Sequence, residues 1–199
     1  MIVVVEHMEE GVSRWMLEEY LEAARAASEA GAELLVANAS DPTVYATLRA
    51  AGLRVWRWSA CRLLDRPDTV LLDPAAPRRL EPWEASLARA ILVGGIMGDH
   101  PPRGRTRLLS WRCPSAAKRN LGPHQLSIDG AVKVALEVAG GRSLDEVELA
   151  VSPRIEVETP MGPVEVELPY AYPLRGGRPW VAEGVARLLA GGIMWDETL

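Results

Sequence analysis

Two glycine-bearing turns, about 25 residues apart, carry most of the residue types in this chain that could do chemistry. The first turn, residues 94–100, follows the apolar run 88–93, and the second, residues 121–127, leads into the apolar-periodic stretch 128–138. That period predicts a helix. Glycine tolerates positive φ and lets backbone N–H groups approach a ligand closely. The two turns together therefore predict a cofactor pocket.

Several familiar catalytic motifs are absent from the sequence. It holds no glycine-lysine phosphate loop, Rossmann Gly-x-Gly-x-x-Gly, nucleophile elbow or His-Glu-x-x-His. His7, His100 and His124 have neither helical nor zinc-knuckle spacing, so we expect no metal and predict hydrogen-bonding or packing roles for them. Cys61 and Cys113 lie far apart without a Cys-x-x-Cys motif, and we expect both to be reduced and structural.

Positive charge is concentrated in and between the two turns. The whole chain has a net charge of −5, but residues 100–128 contain no acidic side chain and six basic ones. These are Arg103, Arg105, Arg107, Arg112, Lys118 and Arg119. The rest of the chain therefore has a net charge of −11. A solvated loop and a grip on an anionic group both explain this cluster, and charge alone does not choose between them.

The elements that must position these turns begin with alternating strand and helix signals. β-Rich runs predict strands over residues 2–5, 33–37 and 53–58. Between them, Ser13 can cap a helix that reaches about residue 30, and Asp41-Pro42 opens a second helix over 43–51. This alternation predicts an α/β fold with a parallel sheet and helices on its faces.

Two further strands, over residues 68–72 and up to Gly94, extend the predicted sheet. Ligands of open parallel sheets bind beyond the carboxyl ends of the strands. The first turn lies at such an end, and so do Glu6 and Glu9 after the first strand. We therefore expect these residues to meet at one edge of the sheet.

The final third of the chain changes character. Residues 155–159 and 164–168 alternate strictly between apolar and polar side chains around a Pro160-Met-Gly-Pro163 turn, which predicts an antiparallel hairpin. Residues 180–189 predict a closing amphipathic helix. We expect one domain over residues 1–199, with 153–199 as a hairpin and helix elaboration.

We expect no targeting signal in this chain. No stretch reaches the roughly 18 consecutive apolar residues of a membrane span, and the N-terminus lacks the positive flank and cleavage site of a secretory signal. We therefore expect no membrane partner and a cytoplasmic location.

Four segments carry a resemblance to a known family. They are Glu6-His-Met-Glu9, Gly94-Gly-Ile-Met-Gly-Asp-His-Pro-Pro-Arg103, Arg119-Asn-Leu-Gly122 continued by Gln125-Leu-Ser-Ile-Asp129, and Glu167-Leu-Pro-Tyr170. The chain resembles the SPOUT-class methyltransferases. More narrowly, it resembles the branch that contains eukaryotic ribosomal-protein arginine methyltransferases, which is also labelled as predicted RNA methyltransferases. Gly104 and Gly130 depart from the pattern, where an acidic residue and a Thr are usual, and this leaves the choice of substrate open.

The resemblance implies a SPOUT-like sheet with a C-terminal trefoil knot and S-adenosylmethionine held in the knot. By the same resemblance the cofactor lies against both glycine-bearing turns, and we expect Gly95→Val to block it. The implied cofactor-binding residues are Val93, Gly94, Gly95, Met97, Gly98, His100, Leu121, Gly122, Gln125, Leu126 and Ser127.

An arginine acceptor would enter the site as a guanidinium, which needs carboxylates to orient it and to draw off its proton. Asp99 is the first candidate, with Glu6 and Glu9 beside it. Arg103 could bind the methionyl carboxylate of the cofactor or an anion of the substrate. Asp129 either caps the helix that follows or takes part in catalysis.

Three functions follow, in order of preference. The first is transfer of a methyl group to an arginine of a ribosomal or other basic protein, which suits the acidic remainder of the chain. The second is methylation of RNA, in which Arg103, Arg105, Arg107, Arg112 and Arg119 would track phosphates. The third is a non-catalytic module that binds S-adenosylmethionine. We favour a monomer, with a dimer as the alternative.

Overall fold

A five-stranded parallel sheet forms the centre of the computed structural model, which describes residues 1–98 and 104–192. The strand order is β2-β1-β4-β3-β5, and all four strand pairs are parallel. The strands are β1 (Ile2–His7), β2 (Glu33–Ala37), β3 (Thr69–Leu72), β4 (Ala90–Gly95) and β5 (Ala117–Arg119). The predicted α/β parallel-sheet class is confirmed.

The helices begin at capping residues. In α1 (Arg14–Glu29) the N-cap Ser13 accepts a hydrogen bond from the Met16 amide, as predicted, and Asp41 caps α2 (Pro42–Ala50). Ser127, and not Asp129, caps α6 (Ile128–Ala139) by accepting from the Gly130 amide. The remaining helices are α3 (Cys61–Leu64), α4 (Pro82–Leu87), α5 (Thr106–Arg112) and α7 (Glu183–Ala190).

Apolar side chains cover both faces of the sheet. Val3 and Val5 of β1 pack into the cluster that α1 and α6 share, whereas Val4 packs with Leu109 and Cys113 on the opposite face. This division follows from the alternation of side chains along a strand. A residue at a strand end therefore faces one layer or the other according to its parity.

The strand predicted over residues 53–58 is absent. This segment runs beside the edge strand β2, but it forms only one isolated bridge, between Val36 and Val55. Backbone bonds also link the amides of Asn38 and Ala39 to the Trp58 and Trp56 carbonyls. The β-rich composition is explained by this contact with the edge of the sheet.

The C-terminal hairpin is confirmed, and more strands accompany it than predicted. β7 (Arg154–Thr159) pairs antiparallel with β8 (Gly162–Glu167). A second small sheet joins β6 (Leu149–Val151), β9 (Ala171–Arg175) and β10 (Arg178–Pro179). The closing helix α7 begins at Glu183 and not at the predicted Trp180, whose ring contacts the cations of Lys133 and Arg175. The trefoil knot and the single-domain boundary stay predictions.

A disulfide joins Cys61 and Cys113, so the expectation that both are reduced is wrong. The two residues are 52 positions apart in sequence, but their Cα atoms are 5.2 Å apart. Cys61 lies in the segment that leads into β3, and Cys113 lies in the segment that leads into β5. Because β3 and β5 are parallel neighbours, these segments meet at the same end of the sheet.

Reduction of this disulfide should lower the free energy of unfolding by about 2–4 kcal/mol, because the bond closes a long loop in the unfolded chain. Urea unfolding with and without a reductant measures the effect. The double variant Cys61→Ser/Cys113→Ser is the control, and its stability should not respond to the reductant. Equal stability of the wild type in both conditions would show that the disulfide contributes nothing.

A buried charge cluster fastens α6 to α1. The Lys133 side chain is 0% exposed and pairs with Asp129 at 2.7 Å and with Glu22 at 3.1 Å. Glu19 accepts hydrogen bonds from the Trp15 indole and from the Ile128 amide, both at the start of their helices. Asp129 thus serves the packing of α6. The cluster holds the N-terminus of α6, where the second turn ends.

Burial, together with the charge of Asp129, raises the pKa of Glu19 from 4.5 to about 8. The folded chain therefore keeps a proton that the unfolded chain releases above pH 4.5, so this group lowers stability as the pH rises from 4.5 to 8. We expect the wild type to lose at least about 1.4 kcal/mol relative to Glu19→Gln over this range. Denaturant unfolding at several pH values tests this, and parallel curves for the two proteins would contradict it.

Among the described residues, no helix combines the length and apolar character needed to cross a membrane.

Candidate active site

A cavity of about 330 Å³ opens beyond the carboxyl ends of β3 and β4. Four chain segments line it: residues 72–75 after β3, residues of 93–98 at the end of β4, residues 104–107 before and within α5, and residues 121–128, with Ala131 of α6. The volume lies within the range of small-molecule sites. The position is the one that parallel sheets commonly offer to a ligand.

The two glycine-bearing turns meet at this cavity. Eight of the eleven residues predicted to bind a cofactor line it: Val93, Gly94, Gly98, Leu121, Gly122, Gln125, Leu126 and Ser127. The fold therefore brings together two segments that the sequence marked separately.

Gly94 and Gly95 face opposite sides of β4. A Cβ at Gly94 would lie 3.2 Å from Ile96 and 3.9 Å from Thr106, which both line the cavity. A Cβ at Gly95 would instead overlap the Tyr20 hydroxyl and lie 2.9 Å from the Glu6 carbonyl oxygen. Gly95 therefore permits close packing against α1, and the expected blockage of a cofactor by Gly95→Val is corrected.

Met97 lies between the lining residues Ile96 and Gly98 but does not itself line the cavity. Its amide donates to Glu9 at 2.8 Å, and its side chain packs against the cluster that contains Trp15 and Tyr170. The first turn is thus held by its backbone to the segment that follows β1. Three further predicted site residues, Asp99, His100 and Arg103, lie outside the described residues.

The C-terminal region fastens both turns. The Tyr170 hydroxyl donates to the Gly98 carbonyl at 2.8 Å, and the Ala171 amide donates to the Gln125 carbonyl at 2.8 Å. The backbone of Gly122 has a φ of 100°, a conformation that favours glycine. Tyr170 and Ala171, which are neighbours in the chain, therefore link the first turn to the second.

Glu6 does not reach the cavity. Its side chain is buried on the face of the sheet opposite α1, where one carboxylate oxygen accepts from the Ala60 amide at 2.8 Å. Burial raises the pKa of this carboxyl. On the other face, His7 is hydrogen-bonded to Tyr20 at 3.0 Å, and burial lowers the pKa of its imidazole. The described geometry gives Glu6 no access to a ligand in the cavity.

Glu9, in contrast, contacts the first turn directly. Its carboxylate accepts from the Met97 amide and forms an ion pair of 2.8 Å with Arg105. The Glu9 side chain is 23% exposed. The two predicted N-terminal carboxylates therefore lie in different places. Only Glu9 lies next to the residues that line the cavity.

Sequence reasoning missed several lining residues. Asp73 follows β3 directly and is held in place by the Ala75 amide and the Ser110 hydroxyl. The strand-end rule that selected Gly94 would have selected Asp73 as well. Thr106 and Arg107 from α5 and His124 from the second turn also line the cavity. No local signal placed α5 there, because its approach depends on the tertiary fold.

An apolar groove of about 410 Å³ adjoins the cavity. Met8, Leu108 and Trp111 give the groove its apolar surface, and Trp111 is 84% exposed. Ile96, Gly104, Arg105 and Arg107 line both the groove and the cavity. A molecule seated in the groove would therefore lie beside a ligand in the cavity.

Two arginines of the basic segment already have carboxylate partners. Arg119 pairs with Glu84, which lowers the pKa of that carboxyl, and Arg105 pairs with Glu9. A phosphate would have to compete with these carboxylates. The cluster is thus less available to a polyanion than its net charge suggests.

The cavity combines apolar walls with a few polar groups. Its apolar walls, which include Ile96, Leu121 and Leu126, can cover a ring, and Asp73, Gln125 and Ser127 add polar atoms at its edge. Within residues 1–98 and 104–192, no group of three or more His, Cys, Asp or Glu side chains is placed so that it could hold a metal ion.

Comparison with known proteins gives a consistent match over nearly the whole chain. A family model described as protein arginine N-methyltransferase SFM1-like matches residues 2–194. The protein arginine N-methyltransferase SFM1 of Saccharomyces cerevisiae is 30% identical over 204 residues, which cover 94% of this chain and 92% of the yeast protein.

Solved structures agree with this match. The yeast arginine methyltransferase SFM1 complexed with SAH superposes with a TM-score of 0.80 at 28% identity and covers 94% of this chain and 93% of its own. The complex with SAM gives 0.80 at 27% identity, covering 96% and 90%. The dual specific Trm10 from Thermococcus kodakaraensis, at 16% identity, 73% and 95% coverage and a TM-score of 0.55, shares the fold. The SPOUT-like fold is therefore confirmed.

Proposed function

Because the chain belongs to the SFM1-like family of protein arginine N-methyltransferases, we propose that its acceptor is an arginine of a ribosomal or other basic protein. The protein is a methyltransferase, and S-adenosylmethionine is its methyl donor. One observation carries the proposal for the site: the two glycine-bearing turns meet in a cavity beside Glu9, a carboxylate suited to a guanidinium.

The donor would be held by the cavity residues Val93, Gly94, Gly98, Leu121, Gly122, Gln125, Leu126 and Ser127. When bound, S-adenosylmethionine supplies a methyl group on a positively charged sulfur. Ile96 and Leu121 would exclude water from the bound donor, and Ser127, which would contact it, is held as the N-cap of α6 by the Gly130 amide. The work of these residues is positioning and exclusion of water.

The acceptor guanidinium requires carboxylates at the mouth of the cavity. Asp99 follows Gly98, a lining residue, and we propose that Asp99 orients the guanidinium and removes its proton. Glu9 would assist from beside the first turn. Arg103 would bind the methionyl carboxylate of the donor or an anion of the substrate. Glu6 is buried away from the cavity, where it accepts from the Ala60 amide, so we propose no contact between Glu6 and the acceptor.

The apolar groove is the natural place for the polypeptide on either side of the target arginine. It shares residues with the cavity and exposes Trp111, and the acidic remainder of the chain attracts a basic protein.

We propose a monomer, because both turns and Glu9 come from one chain. We propose the cytoplasm as the location.

Transfer of radiolabelled methyl groups from S-adenosylmethionine into ribosomes of the source organism, followed by separation of protein from RNA, tests the proposal. We expect label in a protein band, released as methylarginine on hydrolysis. Label in RNA would overturn the choice of acceptor. Donor binding without any transfer would favour a non-catalytic module.

A further inference from the structure

An arginine of the chain itself is bound beside the proposed methyl-transfer site. The Arg105 guanidinium donates through Nη1 to the Glu9 carboxylate and through Nη2 to the Met97 carbonyl oxygen. Glu9 is held in turn by the Met97 amide at 2.8 Å. One carboxylate and one carbonyl, fixed by the same short segment, thus accept from two nitrogens of one guanidinium.

Arg105 also stands between the two cavities. It lines both the donor cavity and the apolar groove, whereas Glu9 and Met97 line neither. Together with Ile96, Gly104 and Arg107, it forms the boundary that an arginine would meet on reaching from the groove towards the donor. A guanidinium offers only donors, so an incoming arginine needs acceptors, and the two that Arg105 now uses lie next to this position.

We infer that Glu9 and the Met97 carbonyl form a guanidinium-binding subsite that Arg105 occupies until the acceptor arginine displaces it. The inference rests on the proposed function for its biological meaning. It assigns Arg105 a role in selecting the acceptor: a side chain without a planar guanidinium fork cannot replace the bonds that Arg105 loses.

The exposure of the pair makes this exchange feasible. The Arg105 side chain is 34% exposed and that of Glu9 is 23% exposed, so water can solvate Arg105 when it leaves. Glu9 never stays without a partner, because one guanidinium replaces another. The pair therefore differs from Lys133 and Asp129, which are buried and have no path for exchange.

A purely structural role is the competing explanation, in which Arg105 fastens the start of α5 to the first turn. The two explanations differ in what its removal creates. If Arg105 occupies a subsite, its removal leaves an open site for a free guanidinium. If it only fastens α5, its removal leaves no such site.

The test measures binding of ethylguanidinium to Arg105→Met, which keeps an apolar stem, by ligand-observed NMR. We expect ethylguanidinium to bind Arg105→Met at least tenfold more tightly than the wild type, and the double variant Glu9→Gln/Arg105→Met to lose this gain. Arg107→Met is the matched control, because Arg107 also lines both cavities and its removal leaves Arg105 in place. Arg105→Gln replaces Arg105→Met if the latter does not fold.

Equal binding by the wild type and Arg105→Met would overturn the inference, and so would a gain that survives Glu9→Gln. A gain that Arg107→Met shows to the same extent would also overturn it. None of these readouts requires methyl transfer. Label in RNA with the expected ethylguanidinium binding would therefore refute the proposed acceptor and leave the subsite standing.

Discussion

Gly94→Val is expected to lower the affinity for S-adenosylhomocysteine at least about 1,000-fold, or about 4 kcal/mol, while the chain stays folded. The Cβ of Gly94 would already lie 3.2 Å from Ile96, and the two methyl groups of valine would extend into the donor cavity between Ile96 and Thr106. Isothermal titration with S-adenosylhomocysteine measures the loss. Methyl transfer should fall with it.

Gly95→Val is the matched control, with the same change one residue along β4. Its side chain would meet Tyr20, which is fully buried and hydrogen-bonded to His7. We expect a loss of about 3 kcal/mol or more in stability from overpacking and from the broken hydrogen bond. If folded Gly94→Val bound the donor product normally, the cavity would not be the donor site.

Asp99→Asn is expected to reduce methyl transfer by a factor of about 10²–10⁴ while changing the affinity for S-adenosylhomocysteine only a few-fold. Asparagine has nearly the same shape as aspartate, but it cannot pair with a guanidinium by charge or accept its proton. Single-turnover transfer to the protein that takes up label in the ribosome assay measures the rate, and titration measures the affinity.

Glu10→Gln serves as the control for this variant. Glu10 is an exposed carboxylate one residue after Glu9, and its neutralisation should leave transfer within a few-fold. Undiminished transfer by Asp99→Asn would remove Asp99 from the mechanism. Equal losses in both variants would show that overall charge, and not a positioned carboxylate, governs the rate.

Local patterns predicted the elements that carry the site. The caps Ser13 and Asp41, the strand after residue 1 and the helix after Ser127 all depend on neighbours within a few residues. The rule that ligands lie beyond strand ends then selected the first turn, which lies at the edge of the sheet where the cavity opens. That the two turns would meet was predicted both by their glycines and by the family resemblance.

The side of the sheet that a residue faces was harder to predict than its position along the chain. Alternation along a strand shows that Gly94 and Gly95 face opposite layers, but it does not show which layer holds the cavity. The same ambiguity applies to Glu6 on β1, which the structure turns towards Ala60. Periodicity therefore identified the edge, and tertiary packing decided the side.

Contacts between distant segments were beyond sequence reasoning. Cys61 and Cys113 meet because β3 and β5 are neighbours, and that strand order is not encoded in the spacing of the cysteines. The sequence marked Arg105 only as part of a basic cluster. Its hydrogen bond to Glu9 joins residues that are 96 positions apart in the chain. Such pairs appear only once the strand order is known.

A crystal structure of the protein with S-adenosylhomocysteine tests the central claim most directly. We predict that the ligand lies in the cavity between residues 94–98 and 121–128. Its sulfur should face Arg105, which also lines the apolar groove. A ligand bound in the Met8 and Trp111 groove, or elsewhere on the protein, would contradict both the donor site and the path proposed for the acceptor arginine.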